Sequence, residues 1–267
     1  MATQTLTDPQ AEQTRVAVID IQQEAFFTPD TWSLAPQSCA QSMTMIIPKD
    51  GHSSSGTILL EEKWTDPQGK DIWVYYLLVS NHAVSEKISP TYTLLPGDST
   101  SLYKDYNTAY LNYYPIVATS GQIGIDSGIL SVFSLARIDR ENTKPLGIDK
   151  IKTGENLPLG NTNYFVFSYP GSTITAQFSI AIVKSSHPSE PYTLKLASTN
   201  TTTSPGSSGG AVCNQNGEVI AVVTGHIGNE AIEFIADPIP QNISYQIEMA
   251  IQNSRSILLT NNITQSP

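Results

Sequence analysis

The chain has 267 residues, of which 39% are hydrophobic and only 14% are charged, against roughly 25% charged in a typical soluble protein. Its formal net charge of −10 argues against nucleic acid as the main partner, because phosphate contacts need clustered Lys and Arg. No apolar stretch is long enough to span a bilayer, and the polar start lacks the basic and apolar regions of a signal peptide. We therefore expect a cytoplasmic protein whose partner is neither nucleic acid nor a membrane.

The two cysteines, Cys39 and Cys213, allow at most one disulfide. Small secreted domains that depend on disulfides carry more cysteines than this. We therefore interpret both side chains as free thiols of an intracellular protein. Cys213 follows Ala-Val on a predicted strand, where a cysteine behaves as a small buried apolar residue.

The first part of the chain is polar and then becomes rich in strands. Residues 1–42 mix polar segments with one apolar patch, and prolines interrupt any long element, so they predict an N-terminal extension. Strand patterns follow at residues 43–47 and 55–60. The nearly continuous apolar run 72–79 is typical of a strand buried on both faces. Five tyrosines between positions 103 and 114 are interpreted as packing a long loop.

A polar segment rich in Pro and Gly, residues 137–163, separates a first half (43–145) from a second half (146–267). The second half contains the clearest period of two: apolar and polar residues alternate from 174 to 182, which predicts a half-buried strand. Isoleucine and leucine recur at helical spacing over residues 243–258, which predicts an amphipathic helix packed on the second half.

The strongest chemical signal is the Ser/Gly-rich segment 204–212. Flanking glycines allow the backbone to approach a substrate closely and to turn its amides inward, as an oxyanion site requires. We therefore predict Ser208 as a nucleophile, with the backbone amides of Gly206 and Ser208 holding the developing negative charge.

A serine nucleophile needs a base within hydrogen-bonding distance, and histidine suits this role at neutral pH. His82 closes a buried apolar run, so the core would hold it rigidly, and it is the predicted base. His52 and His187 lie in polar loop sequence and are interpreted as solvated surface residues.

Two segments of the sequence resemble motifs of a known protein family, and they occur in the same order as in that family. Residues 78–84 (Leu-Val-Ser-Asn-His-Ala-Val) resemble the histidine segment of trypsin-like serine proteases, most closely the Deg/HtrA-type branch. Residues 206–210 match that family's nucleophile motif, Gly-X-Ser-Gly-Gly. Weaker similarities occur in residues 53–60, 167–171 and 237–240. The resemblance implies an all-β, chymotrypsin-like fold of two six-stranded antiparallel β-barrels with a C-terminal α-helix after the N-terminal extension.

The family also places an aspartate between these two segments, at the start of a short apolar strand. Residues 126–132 resemble that element, so the resemblance implies that Asp126 orients His82 and stabilises its imidazolium. Asp105 and Asp139 are the alternatives, and Asp-Ser-Gly is also ordinary turn sequence.

Some features of this sequence differ from the family pattern, and these differences limit the activity that we expect. Extracellular digestive members carry an aspartate immediately before the nucleophile, where this chain has Ser207, so activation by zymogen cleavage is not expected. We also expect no peptide-binding PDZ module after the final helix. The resemblance implies a serine endopeptidase that cleaves protein or peptide substrates through an acyl-enzyme, without a metal or an organic cofactor. The alternative is a catalytically inactive peptide-binding module with the same fold.

The resemblance also implies a pocket for the substrate side chain. Its predicted lining residues are Thr202, Val223, Thr224, Gly225 and His226. Threonine in place of an acid ahead of the nucleophile does not predict a preference for Lys or Arg. Asp237 or Glu233 could supply an acid, and His226 could favour an acidic substrate residue. A small or apolar side chain is the preference that we predict.

Overall fold

The computed structural model describes residues 37–49, 51–85, 88–96, 106–117, 125–138, 143–154, 162–172, 177–187, 190–198, 205–227 and 233–266. Most of the predicted N-terminal extension therefore lies outside the described residues. Its last six residues form a short helix, α1 (Gln37–Ser42), in which Cys39 and Ala40 are buried.

The first half of the chain forms an antiparallel sheet. Its strands are β1 (Met43–Pro48), β2 (Ser54–Thr65), β3 (Asp71–Ser80), β4 (Thr91–Pro96), β5 (Tyr106–Pro115) and β6 (Ser127–Ser134), joined by the C-terminal strand β13 (Thr264–Gln265). The order is β1-β4-β5-β6-β3-β2-β13, and β1 also pairs with β2. This extra pairing joins the two ends of the six-strand order into a ring. A short helix, α2 (Asn81–Ser85), follows β3.

The second half forms a closed antiparallel barrel of six strands. They are β7 (Asn163–Ser168), β8 (Gln177–His187), β9 (Glu190–Ser198), β10 (Ala211–Cys213), β11 (Val219–Ile227) and β12 (Glu233–Pro238), in the order β10-β11-β12-β9-β8-β7. Residues 174–176 of the predicted alternating strand lie outside the described residues. The long helix α3 (Ile243–Thr260) follows the barrel. The predicted all-β fold with a C-terminal helix is confirmed.

Strand β3 explains the continuous apolar run in the sequence. It lies between β2 and β6, and its residues alternate between two cores. Leu77 and Val79 pack inside the first half, whereas Tyr76 and Leu78 face a second core that also includes residues of the second barrel and α3. Each buried side chain of this size contributes about 1.5–3 kcal/mol. The end of β3, which leads into α2, is therefore held from both sides.

Helix α3 packs on the first half, so the prediction that it packs on the second half is wrong. The helix contacts β5 and β6. Gln246 bonds the backbone of Val117 on both its N–H and C=O, at 2.8 Å each, and the Ser254 hydroxyl donates to that of Ser131 at 2.9 Å. Helical spacing identifies the buried face of a helix but not the surface that covers it.

Cys39 and Cys213 form a disulfide, so the interpretation of both residues as free thiols is wrong. The bridge joins α1 to β10, and both residues are fully buried. Cys213 is thus buried as predicted, but as half of a cystine. The two residues are 174 positions apart in the sequence, and the fold brings their Cα atoms to 6.8 Å. That separation lies within the range that a disulfide can bridge.

The tyrosine-rich segment is strand β5 and not the long loop that we predicted. Tyr106, Tyr110, Tyr113 and Tyr114 lie on this strand, and Tyr103 lies outside the described residues. A register shift between Tyr110 and Asn112 changes the pairing of β5 with β6. Aromatic residues favour strands because they pack well on a pleated surface.

Candidate active site

His82 is held at the start of α2 by Asp126, which lies just before β6. The backbone N–H of His82 donates to Asp126 Oδ1 at 2.7 Å, and the ring Nδ1 forms a hydrogen bond with Asp126 Oδ2. The N–H of Asn81 donates to the Asp126 carbonyl at 3.0 Å. A carboxylate at Nδ1 favours the tautomer that carries its proton there, which makes Nε2 the acceptor.

Ser208 faces the other nitrogen of the same ring. His82 Nε2 lies 3.0 Å from Ser208 Oγ, within the distance at which a histidine can act as a general base. The side chains of His82 and Asp126 are 41% and 31% exposed, so solvent and a ligand can reach them. The structure thus brings together the three residues that the sequence singled out, whereas Asp105 and Asp139 lie outside the described residues.

The peptide groups around Ser208 have defined orientations. The Pro205 carbonyl accepts the N–H of Gly171 at 2.8 Å, so the N–H of Gly206, in the same planar peptide, points to the opposite side. Likewise, the Ser207 carbonyl accepts the N–H of Gly210 at 2.9 Å, which directs the N–H of Ser208 away from that turn. Gly206 has a φ of 106°, a conformation that glycine adopts without steric cost.

The loop that carries Ser208 is clamped between the two halves. A Cβ atom at Gly209 would overlap the carbonyl oxygen of Ser55 on β2, so only glycine fits there. The Gly209 N–H donates to the Val223 carbonyl at 2.7 Å, and the Val223 N–H donates to the Gly210 carbonyl at 2.8 Å. The position of Ser208 therefore depends on β2 from the first half and β11 from the second.

Asp237 supports Asp126, a role that the sequence did not reveal. The side chain lies at the end of β12, the residue is only 7% exposed, and Oδ2 accepts the backbone N–H of Asp126 at 2.5 Å. From the sequence, Asp237 was a possible acid for the substrate pocket, whereas in the structure its carboxylate contacts the backbone of Asp126. Nothing in the local sequence distinguishes it from an ordinary strand-end carboxylate.

Tyr113 is a second residue that the sequence did not assign to the site. Its hydroxyl donates to Asn81 Oδ1 at 2.6 Å. Gly128 makes room for the ring, because a Cβ atom there would overlap the Tyr113 hydroxyl. Burial, together with the charge of Asp126, raises the pKa of Tyr113, so its hydroxyl remains a donor at neutral pH.

The predicted substrate pocket is described in part. Val223 is buried and Thr224 and Gly225 are half-buried on β11. Thr202 and the side chain of His226 lie outside the described part of the structure. A cavity of about 370 Å³ lies next to Ser208. Its walls include Pro48, Ala83, Ile88, Pro90, Pro205 and His82.

The described residues contain no group of three or more His, Cys, Asp or Glu side chains that could hold a metal ion. In the same part of the chain, no helix is both long enough and apolar enough to cross a membrane.

A two-half β fold with His, Asp and Ser in hydrogen-bonding contact between the halves is typical of trypsin-like peptidases. Residues 71–222 match the family model of the trypsin-like peptidase domain, which is more than half of the chain. The chain therefore belongs to the trypsin-like peptidase family, and this membership supports a serine protease. No curated protein matches the sequence.

Solved structures of proteases share the fold at low sequence identity. The Rv3671c protease of M. tuberculosis, in an inactive form, is 18% identical with a TM-score of 0.51, over 84% of this chain and 95% of that one. The serine endoprotease from Yersinia pestis is 14% identical with a TM-score of 0.51, over 86% and 68%. The HtrA-type protease AlgW, solved with a tripeptide, is 14% identical with a TM-score of 0.53, over 85% and 63%. At these identities the similarity concerns the fold.

Proposed function

We propose that this protein is a serine endopeptidase that cleaves peptide bonds through an acyl-enzyme. The observation that carries the proposal is the position of His82, which contacts Asp126 through one ring nitrogen and Ser208 through the other. His82 takes the proton of Ser208 as its oxygen attacks the scissile carbonyl, and then gives that proton to the leaving amine. A water molecule, activated by the same histidine, hydrolyses the acyl-enzyme.

The backbone amides of Gly206 and Ser208 form the oxyanion hole in this proposal. The orientation of the Pro205 and Ser207 carbonyls supports it, because each directs the following N–H to the side opposite its own hydrogen-bond partner. Removal of one such donor typically lowers the rate by ~100-fold or more. The chemistry uses protein groups only, and we propose no cofactor.

We propose that each half of the protein contributes different catalytic groups. The first, residues 43–145, contributes His82 and Asp126, and the second, residues 146–267, contributes the nucleophile and the oxyanion hole. The acyl side of a peptide or protein substrate lies along β11, with a small or apolar side chain near Thr202 and residues 223–226. The cavity next to Ser208 receives the leaving segment.

The competing function is a catalytically inactive peptide-binding module. The side-chain contacts of the three candidate catalytic residues are intact, which favours the enzyme over the binding module.

The predicted cytoplasmic location rested partly on two free thiols, and the disulfide removes that argument, because such bridges are rare in the cytosol. Cytoplasmic location therefore stays a prediction, which mapping of free thiols in protein from its source cells would test.

The test is labelling of the purified protein with a fluorophosphonate probe. We expect the wild type to be labelled and both Ser208→Ala and His82→Ala to lose labelling. Ser256→Ala is the matched control, since Ser256 lies exposed on α3 and its hydroxyl donates to the Gln252 carbonyl of its own helix. A folded wild type that resists the probe would instead favour the peptide-binding module.

A further inference from the structure

Ser55, at the start of β2, connects the first half to two separate segments of the second. Its backbone N–H donates to the Ser208 carbonyl at 2.8 Å. Its hydroxyl donates to the Gly206 carbonyl at 2.7 Å and accepts the N–H of Tyr169 at 2.8 Å. Ser55 is fully buried, so it does not contact a substrate directly.

The chemistry of the groups sets the direction of this hydrogen-bond chain. A backbone N–H can only donate and a carbonyl can only accept, so the Ser55 hydroxyl accepts from Tyr169 and directs its hydrogen to Gly206. Each bond in such a chain polarises the next and strengthens it. The hydroxyl thus occupies one defined rotamer between a fixed donor and a fixed acceptor.

The hydrogen-bond chain through Ser55 fixes one of the two peptide groups that flank Gly206. The peptide before Gly206 is held at the Pro205 carbonyl by the N–H of Gly171, and the peptide after it is held at the Gly206 carbonyl by Ser55. Tyr169 and Gly171 lie two residues apart in the same turn, so one turn supports both holds. Glycine rotates at little steric cost, and Gly206 therefore depends on these holds for the direction of its N–H.

We infer that Ser55 is a positioning residue for the oxyanion hole, acting through the carbonyl of Gly206. The inference rests on the proposed function and names a residue outside the proposed catalytic set. Without the hydroxyl, the Gly206–Ser207 peptide loses its partner across the interface, and the Gly206 N–H spends less time aimed at the developing oxyanion. The alternative role is a structural link between the halves with no effect on catalysis.

The test compares two buried serines of the first half. Ser55→Ala removes the hydroxyl but keeps the backbone bond to Ser208. Ser131→Ala is the control, because Ser131 is also buried and, within the described part of the chain, its side chain bonds only Ser254 of α3. We expect the fluorophosphonate labelling rate to fall by ~10-fold to 100-fold in Ser55→Ala, less than the loss of a whole oxyanion donor. Ser131→Ala should keep the wild-type rate, and Ser55→Thr, which retains a hydroxyl, should restore labelling.

Two further measurements separate positioning from general loss of structure. The deshielded proton resonance of His82 Nδ1–H should be the same in Ser55→Ala and Ser131→Ala. The urea unfolding midpoint should fall further in Ser55→Ala, because that variant leaves two buried backbone groups unpaired, but both variants should be fully folded under the labelling conditions. Equal labelling rates in these two variants would overturn the inference, and so would loss of the His82 resonance in Ser55→Ala alone. If Ser55→Thr does not fold, the comparison of labelling rates between Ser55→Ala and Ser131→Ala still tests the inference. An unlabelled wild type would overturn the proposed function and this inference with it, whereas a labelled wild type with an unaffected Ser55→Ala overturns this inference alone.

Discussion

Replacement of both Cys39 and Cys213 by alanine should lower the free energy of unfolding by about 5 kcal/mol. The bridge connects residues 174 positions apart, and closing a loop of that length removes about 17 cal/mol/K of entropy from the unfolded chain. At 25 °C this corresponds to about 5 kcal/mol, a large part of the ~5–15 kcal/mol that stabilises a typical domain. Both sulfurs are fully buried, so the wild type should resist reduction until it unfolds.

Urea unfolding measures this difference directly. With a slope of about 3 kcal/mol per molar urea, the midpoint of Cys39→Ala/Cys213→Ala should lie about 1.7 M below that of the oxidised wild type. Wild type that has been unfolded and reduced should match the variant. Titration of thiols in denaturant, without reductant, should find none. Equal midpoints in the oxidised and variant proteins, or two free thiols in the untreated wild type, would refute the reasoning.

Three further predictions concern carboxylates and a buried phenol. Asp237→Ala leaves the Asp126 N–H without its acceptor and should lower the fluorophosphonate labelling rate by about 10-fold or more. Asp237→Asn keeps an oxygen acceptor and should lose less, so equal losses would contradict this account. Glu62→Ala removes the partner of Arg255 and Tyr76 and should destabilise the fold by about 2–3 kcal/mol in urea unfolding, below the usual range for a buried pair because Arg255 is partly exposed. The labelling rate per folded molecule should not change, and an unchanged unfolding midpoint would contradict the prediction. Burial and the Glu62 carboxylate raise the pKa of Tyr76. The phenol of the unfolded chain ionises near pH ~10, whereas the folded protein keeps Tyr76 protonated above that pH. The free energy of unfolding should therefore be unaffected by Tyr76 below about pH 10 and should fall above it by up to about 1.4 kcal/mol per pH unit. Midpoints that stay flat from about pH 8 to about pH 11 would argue against this.

Local sequence patterns identified Ser208 and His82, because the structural requirements at these positions also constrain the residues next to them in the sequence. Ser208 lies among glycines because its loop must approach other backbone closely, and Gly209 meets the Ser55 carbonyl there. His82 ends an apolar run because β3 is buried on both faces. Such requirements act on neighbouring residues, so they leave a pattern in the sequence itself. Asp126 needed the family resemblance, since Asp-Ser-Gly alone suits an ordinary turn.

The sequence by itself determined the all-β class, the C-terminal helix and the positions of His82 and Ser208. Only the tertiary structure decided which surface α3 covers, that Cys39 meets Cys213, and that Asp237 and Ser55 support the site. These contacts join residues more than a hundred positions apart, and an aspartate, a serine or a cysteine has many possible partners at that distance. Spacing records which face of an element is buried. The partner of a buried polar group is chosen by the packing of the two halves, which no local pattern encodes.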